Sequence, residues 1–290
     1  MRPYNFGGLD YALADPARAK IVILPISYDA TTTFKAGARE GPRAIISASR
    51  ELEFYDEETG YEVYKLGIAT LPELTPVNSS PRDMVEKVKE TALFWISKGK
   101  FVVMLGGEHL MSLGIIKAHA QLCKNFSILH LDAHTDLRLQ YENTSYSNAC
   151  VMRLALKYAP VVSVGIRALS KEEAEFIDNR KIPIFYAKDI KKNFSKVLNN
   201  LLTYLNEKVY LTIDLDCFDP SQMPAVGTPE PGGLDWYEVT NIIKEIAQKK
   251  DIIGFDVVEL CPQTGLVSAD FLAAKLVYKT LSYIFAFKET

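Results

Sequence analysis

Between Ile128 and Asp136 the chain reads ILHLDAHTD, an apolar run of the kind a buried parallel strand shows, broken by Asp132, His134 and Asp136 at every second position. Residues two apart on an extended chain face the same way, so these three polar groups converge on one point at the strand's end. Taken singly, each is equally a capping or turn residue before a solvated loop. Three metal-capable side chains in alternation favour a metal. The stretch from Tyr210 to Asp219, YLTIDLDCFD, repeats the pattern and ends in Asp214 and Asp216, with Asp219 just beyond. Two carboxylate clusters brought to one place repel unless cations neutralise them, because a buried unpaired charge is expensive. The chemistry asks for metal, and for more than one ion.

The elements that must position these groups follow from the hydrophobic pattern. IVILPI at Ile21 to Ile26 reads as a first buried strand, followed by a loop of small and hydroxyl residues that is either a pocket wall or a plain surface connection. A helix is expected from about Arg43, and residues 51 to 81 are irregular with at most a short strand. An apolar stripe predicts a helix from Arg82 to Ser97, and FVVML from Phe101 to Leu105 predicts a strand running straight into Gly106, Gly107, Glu108 and His109, a third polar strand end. Further helices are predicted at about Ser147 to Tyr158, Lys171 to Asn179, Phe194 to Leu205 and Asp235 to Ala247. Strands are predicted at Val161 to Gly165, Ile182 to Tyr186 and Ile252 to Val258, the last ending in Glu259, before a long amphipathic helix from about Ala269 to Phe285. Strands separated by helices throughout imply right-handed crossovers and a mostly parallel α/β sheet covered on both faces. Ligands of such sheets bind beyond the carboxyl ends of the strands, where every one of these polar clusters falls. No repeat or linker divides the sequence, so one domain over 1–290 is expected.

Composition narrows the partners. With 48% hydrophobic and 24% charged residues the 290-residue chain has an ordinary globular composition, and a net charge of -3 offers no field for nucleic acid or an anionic membrane. The start lacks the basic and apolar regions of a secretory signal, and no apolar run reaches the roughly 18 residues of a membrane span. Cys123, Cys150, Cys217 and Cys261 are scattered without CxxC pairs, which fits a reduced, cytoplasmic setting.

GGEH at 106–109, LDAHTD at 131–136, TIDLDCFDP at 212–220 and DVVEL at 256–260 resemble, in order and spacing, the four signature blocks of the ureohydrolases, the arginase and agmatinase family. FKAGAREGPRAI and VGTPEPGGL are similar to the agmatinase branch. The resemblance implies a three-layer α/β/α sandwich and two Mn²⁺ ions per subunit, His109, Asp132, Asp136 and Asp214 holding one and Asp132, His134, Asp214 and Asp216 the other. It further implies hydrolysis of a small-molecule guanidino substrate to urea and an amine, with agmatine and putrescine the leading pair. Asp136 would orient the attacking water, Glu259 would hold the guanidinium, and the subunits would assemble as trimers or hexamers. Carboxylates and imidazoles without thiolate suit Mn²⁺ on chemical grounds too.

One position departs from the family pattern. Where agmatinases usually carry SHG or SHA, this chain reads Ser147, Asn148, Ala149, so Asn148 stands in place of the His thought to pass a proton to the leaving amine. An amide can hydrogen-bond substrate but cannot serve as general acid, which leaves water or a tyrosine such as Tyr141 or Tyr146. Of the remaining histidines, His130 reads as a packed core residue or a support for a ligand, and His119 as a surface residue. Arginine, guanidinobutyrate or a formimino compound are alternative substrates, and a metal-binding homologue with little turnover is an alternative role. A two-metal phosphoesterase is a third reading, weakened because Arg138 is the one basic residue beside a cluster.

Overall fold

The apolar runs become strands because they are short and rich in β-branched residues, too short to compete as helices. The computed structural model describes residues 3–288. Strands β1 (Ile21–Ile26), β2 (Ile68–Thr70), β3 (Phe101–Gly106), β4 (Phe126–Leu131), β5 (Val161–Ile166), β6 (Ile184–Tyr186), β7 (Lys208–Asp214) and β8 (Asp251–Val258) form one sheet in the order β2-β1-β3-β8-β7-β4-β5-β6. Every pairing in it is parallel. The helices are α1 (Tyr11–Ala14), α2 (Gly41–Ser49), α3 (Pro81–Ser97), α4 (Ser112–Leu122), α5 (Val151–Ala155), α6 (Lys171–Arg180), α7 (Ala187–Lys192), α8 (Phe194–Tyr204), α9 (Trp236–Lys249) and α10 (Val267–Lys288).

Alternation along the strands feeds two cores. Ile21, Ile23, Val103, Leu105, Leu211, Ile213 and Val257 pack with α2, α8, α9 and α10 on one face. Val22, Leu24, Val102, Met104, Ile128 and Tyr210 pack with α3, α4 and α5 on the other. The result is a three-layer α/β/α sandwich whose strands are apolar on both sides, as an all-parallel sheet requires.

Register decides where the polar strand ends meet. Leu105 pairs Val257, Val257 pairs Ile213, and Ile213 pairs Leu131, so β3, β8, β7 and β4 reach the same level side by side. The next residues along these adjacent strands include Asp214 opposite Val258, then Asp132 and Glu259. Four separated segments of sequence therefore end at one place in the middle of the sheet.

Three expectations change. The segment after Ser147 is a short 3-10 turn, Asn148–Cys150, and the brief α5 rather than one helix to Tyr158. The Asn148 carboxamide accepts from the Ala149 N–H at 2.8 Å, a local bond that competes with helix formation. Helix α10 is not amphipathic: every residue from Leu276 to Phe285 is buried. Part of its surface is covered by residues 54–64, which dock Phe54 on Tyr278 and set Asp56, Glu57 and Glu58 around the Lys279 ammonium. Finally, His119 is 3% exposed. It sits on α4 with its ring against the sheet, beside Gly254 and 5.3 Å from the ring of Tyr210, and burial pushes its imidazole down to about 4, so it is neutral.

Candidate metal centre

Each ligand candidate is set by the loop that follows its strand. After β3 the chain turns through Gly107, where a Cβ would come within 2.0 Å of the Tyr28 carbonyl oxygen, and this close approach brings His109 over the strand ends. After β4, Asp132 accepts from the His134 N–H at 2.5 Å, and Asp136 takes a left-handed φ of 52°. After β7, Asp214 accepts from the Asp216 N–H at 2.9 Å, and Asp216 accepts from the Ala133 N–H at 2.9 Å, which joins the two loops. After β8, Glu259 has φ 65° and its carboxylate accepts from the His109 N–H at 2.7 Å. Non-glycine residues with positive φ are strained, and two of the five among the described residues, Asp136 and Glu259, lie in this site.

The side chains meet in two groups that share Asp132. In the first, the fully buried Nδ1 of His109 lies 3.1 Å from Asp132 Oδ2, 3.2 Å from Asp136 Oδ2 and 3.3 Å from Asp214 Oδ2. It nevertheless makes no hydrogen bond. In the second, His134 Nδ1 is 2.9 Å from Asp216 Oδ2 and 3.5 Å from Asp132 Oδ1. An orphaned imidazole nitrogen facing three carboxylate oxygens at these spacings fits a cation between them, since neighbouring ligands of an ion with bonds of about 2.0–2.3 Å sit at roughly that separation. The donor set suits Mn²⁺ or a similar hard or borderline ion. Cys217, although adjacent, is a buried thiol whose ionisation burial disfavours strongly, so it does not belong to the set.

Electrostatics carry the same message. Burial, together with Asp216 and Asp132 nearby, pushes the Asp214 carboxyl well above the usual range. Burial disfavours charge on Asp132 as well, but His130, His109 and His134 outweigh it and hold that carboxyl well below the usual range. His134, despite burial, is pushed up to about 12 by Asp216 and Asp132. Without cations, this cluster must take up protons to balance itself.

One row beneath the ligands, register builds their support. His130 pairs Thr212 across β4 and β7, and Thr212 pairs Asp256 across β7 and β8. His130 reaches Asp132 Oδ2 at 2.7 Å and Ser163 Oγ at 3.0 Å. Thr212 Oγ1 lies 2.8 Å from His109 Nε2 and donates to Asp256 at 2.7 Å, while the Tyr210 hydroxyl donates to the other Asp256 oxygen at 2.5 Å. With Thr212 donating to Asp256, its oxygen accepts from His109 Nε2–H, which leaves the Nδ1 lone pair toward the carboxylates. Sequence reading missed Thr212 and Asp256. Their signal was a polar residue in the interior of strands that are polar elsewhere only at their ends.

It also missed Arg167. This guanidinium donates to the carbonyls of Gly165, Asp216, Cys217, Phe218 and Glu230, tying the ligand loop to the VGTPEPGGL loop. Arg138 is therefore not the one basic residue beside a cluster, but Arg167 is spent on backbone oxygens and offers nothing to a phosphate.

A cavity of about 430 Å³ opens above the cluster, walled by Phe34, Tyr141, Asn148, Leu169, Glu230 and Glu259 among others. The loop after β1 thus forms a pocket wall. Asn148 Oδ1 is engaged by Ser147 and Ala149, which leaves its NH₂ as the polar group to present. Tyr146 packs against the α4 and α5 core and is not part of that wall. Burial, with Glu108 and Asp216 nearby, pushes the Glu259 carboxyl up to about 8 against the opposing pull of His109.

A family model described as the arginase family matches residues 19–282. The chain is 40% identical to the N(1)-aminopropylagmatine ureohydrolase of Synechocystis sp. over 94% of its own length and 91% of that protein. It is 32% identical to the agmatinase of Pyrococcus horikoshii over 95% of its length and 96% of that protein. Among solved structures, the agmatine ureohydrolase of Thermoplasma volcanium superposes with a TM-score of 0.90 at 31% identity, covering 100% of this chain and 97% of that one.

Proposed function

This chain belongs to the arginase family and is a hydrolase of C–N bonds in linear amidines; from that premise we propose that it cleaves a guanidino-amine of the agmatine type to urea and an amine, with two Mn²⁺ ions per subunit. The observation that carries the reading is the pair of ligand groups sharing Asp132 at the floor of a cavity whose wall includes Glu259. A pair of divalent cations supplies Lewis acidity and a water that is deprotonated near neutral pH. His109, Asp132, Asp136 and Asp214 would hold one ion, and Asp132, His134, Asp214 and Asp216 the other. Glu259, fixed by the His109 N–H, receives the guanidinium through paired hydrogen bonds, a geometry carboxylates suit. Asp136 orients the attacking water. Residue 148 delivers no proton, because an amide does not titrate; the Tyr141 hydroxyl on the same wall and solvent remain to protonate the leaving amine.

Relatives named as aminopropylagmatine ureohydrolases, 36–40% identical, favour the aminopropyl derivative of agmatine over agmatine itself. We further read 1–290 as one domain, in a homo-oligomer such as a trimer or hexamer. No helix among the described residues is long and apolar enough to cross a membrane, and the four cysteines are unpaired, which suits a reducing, cytoplasmic setting. The test is urea release by the Mn²⁺-loaded protein from aminopropylagmatine, agmatine, guanidinobutyrate and arginine. Turnover led by the first two is expected. Silence on all four, or preference for arginine, would overturn the reading.

A further inference from the structure

Six carboxylates line the cavity, and five have work that the fold or the metal cluster explains. Asp136, Asp214 and Asp216 face the cation groups, and Glu259 is held by the His109 N–H. Glu173 is saturated: one oxygen accepts from the Thr135 hydroxyl and the Leu137 N–H, the other from the Ser170 hydroxyl and N–H. Glu230 is left. Its side chain is 42% exposed, and among the described residues its carboxylate comes near only His134 Nε2, at 4.0 Å, beyond hydrogen-bond reach.

The backbone beneath that carboxylate is held firmly. Its carbonyl accepts from Arg167 Nε at 3.2 Å and Nη2 at 2.8 Å, and the same Nη2 donates to the Asp216 carbonyl at 2.6 Å. Pro229 and Pro231 flank Glu230 and restrict the chain on both sides. An acid is thus presented at a set distance from the metal loop, with His134 at 4.0 Å as its one charged neighbour and no hydrogen bond to its carboxylate among the described residues. The one Lys or Arg side chain of the cavity wall, Arg138, stacks 5.6 Å from the Tyr141 ring and lies 3.9 Å from Glu173. Phe34, 81% exposed, and Leu169 offer apolar surface on the same walls for a methylene chain.

We propose that Glu230 receives the ammonium of the substrate's tail and so selects guanidino compounds ending in an amine over those ending in a carboxylate or a neutral group. The assignment rests on the guanidino-hydrolase reading of the pocket. A carboxylate accepts a charge-assisted bond from a protonated amine, and it repels a carboxylate tail, which gives discrimination in both directions.

The competing role is support of His134, and one variant separates the two. In the Mn²⁺-loaded enzyme, Glu230→Gln raises KM for agmatine and aminopropylagmatine about tenfold, leaves KM for butylguanidine, whose tail is uncharged, unchanged, and narrows the gap between agmatine and guanidinobutyrate. Mn²⁺ content stays that of the unmodified enzyme. Equal losses on charged and neutral tails, or a fall in Mn²⁺ content, would make Glu230 a support for the metal loop and overturn the proposal. If the unmodified enzyme releases urea from nothing, the reading of the pocket fails. Calorimetry with putrescine then still tests Glu230: binding about tenfold weaker in the variant supports the assignment, and equal binding overturns it.

Discussion

Two groups of charge in this molecule, each built on a buried residue, are made from similar side chains and differ in balance. On α10 the Lys279 ammonium is 2.9 Å from Asp56, 2.9 Å from Glu57 and 3.0 Å from Glu58, and Glu58 also meets Lys244 and the Tyr283 hydroxyl, each at 2.9 Å. Each of these charges has an opposite within reach inside the protein. At the strand ends, Asp132, Asp136, Asp214 and Asp216 share three imidazoles, those of His109, His130 and His134, and His109 keeps an orphaned Nδ1. The first group is complete as folded and pins residues 56–58 to the last helix. The second has no such internal balance, and on the function proposed above cations complete it, which would make it a site rather than a strut.

Removing a charge should therefore have opposite consequences in the two places. Asp214→Asn is expected to lower kcat/KM on the order of 10³-fold or more, because it takes away a carboxylate at the heart of the cluster. The same change should not lower the melting temperature of the metal-free protein, since burial and its acidic neighbours already disfavour the charge it removes. A large loss of metal-free stability would break the comparison. Lys279→Met leaves Asp56, which is fully buried, without its cation, and is expected to cost about 3–5 kcal/mol in denaturant unfolding while Mn²⁺ binding is unchanged.

Arg167→Lys sharpens the picture by acting on the ligand loop without touching a ligand. An ammonium cannot reproduce a planar fork that spans five carbonyls, so Mn²⁺ should be held about tenfold more weakly in competition with a chelator. Unchanged retention would show that the loops hold their places without it. The smallest effect lies in pH. Burial opposes the charge on Glu58, but bonds from Lys244, Lys279 and Tyr283 outweigh it and hold the carboxyl down to about 2. A depressed folded value contributes stability that is fully present above the unfolded value of 4.5 and is lost as pH falls from there toward 2. With solvent screening at this part-exposed site the contribution is about 1 kcal/mol. Unfolding of the metal-free protein should show Glu58→Gln less stable at pH 6 and equal to the unmodified chain near pH 2.

Sequence pattern reached the strands, the sandwich and the polar strand ends because each of those is written locally. Alternation marks Asp132, His134 and Asp136 without knowledge of anything distant, although they lie beyond the end of β4 and a loop with Asp136 at φ 52° places them, not an extended strand. What lay beyond it depends on contacts between remote segments. The row His130, Thr212, Asp256 exists only through the register of three strands. Arg167 becomes a clamp only when residues 49 to 63 positions away fold back onto it. His119 reads as a surface residue until α4 packs its ring against Tyr210 and Gly254 of the sheet, and the irregular stretch after Arg50 gains meaning only when Asp56 meets Lys279 across the fold.

The most direct test of the imbalance is calorimetric titration of Mn²⁺ into the metal-stripped protein, with electron paramagnetic resonance of the product. Two ions per chain with an exchange-coupled spectrum, bound with release of protons and a rise in melting temperature, are expected, because the cations replace the protons the cluster otherwise needs. Absence of saturable binding, or urea formation undiminished after chelation, would contradict the claim that the strand-end cluster is completed by cations.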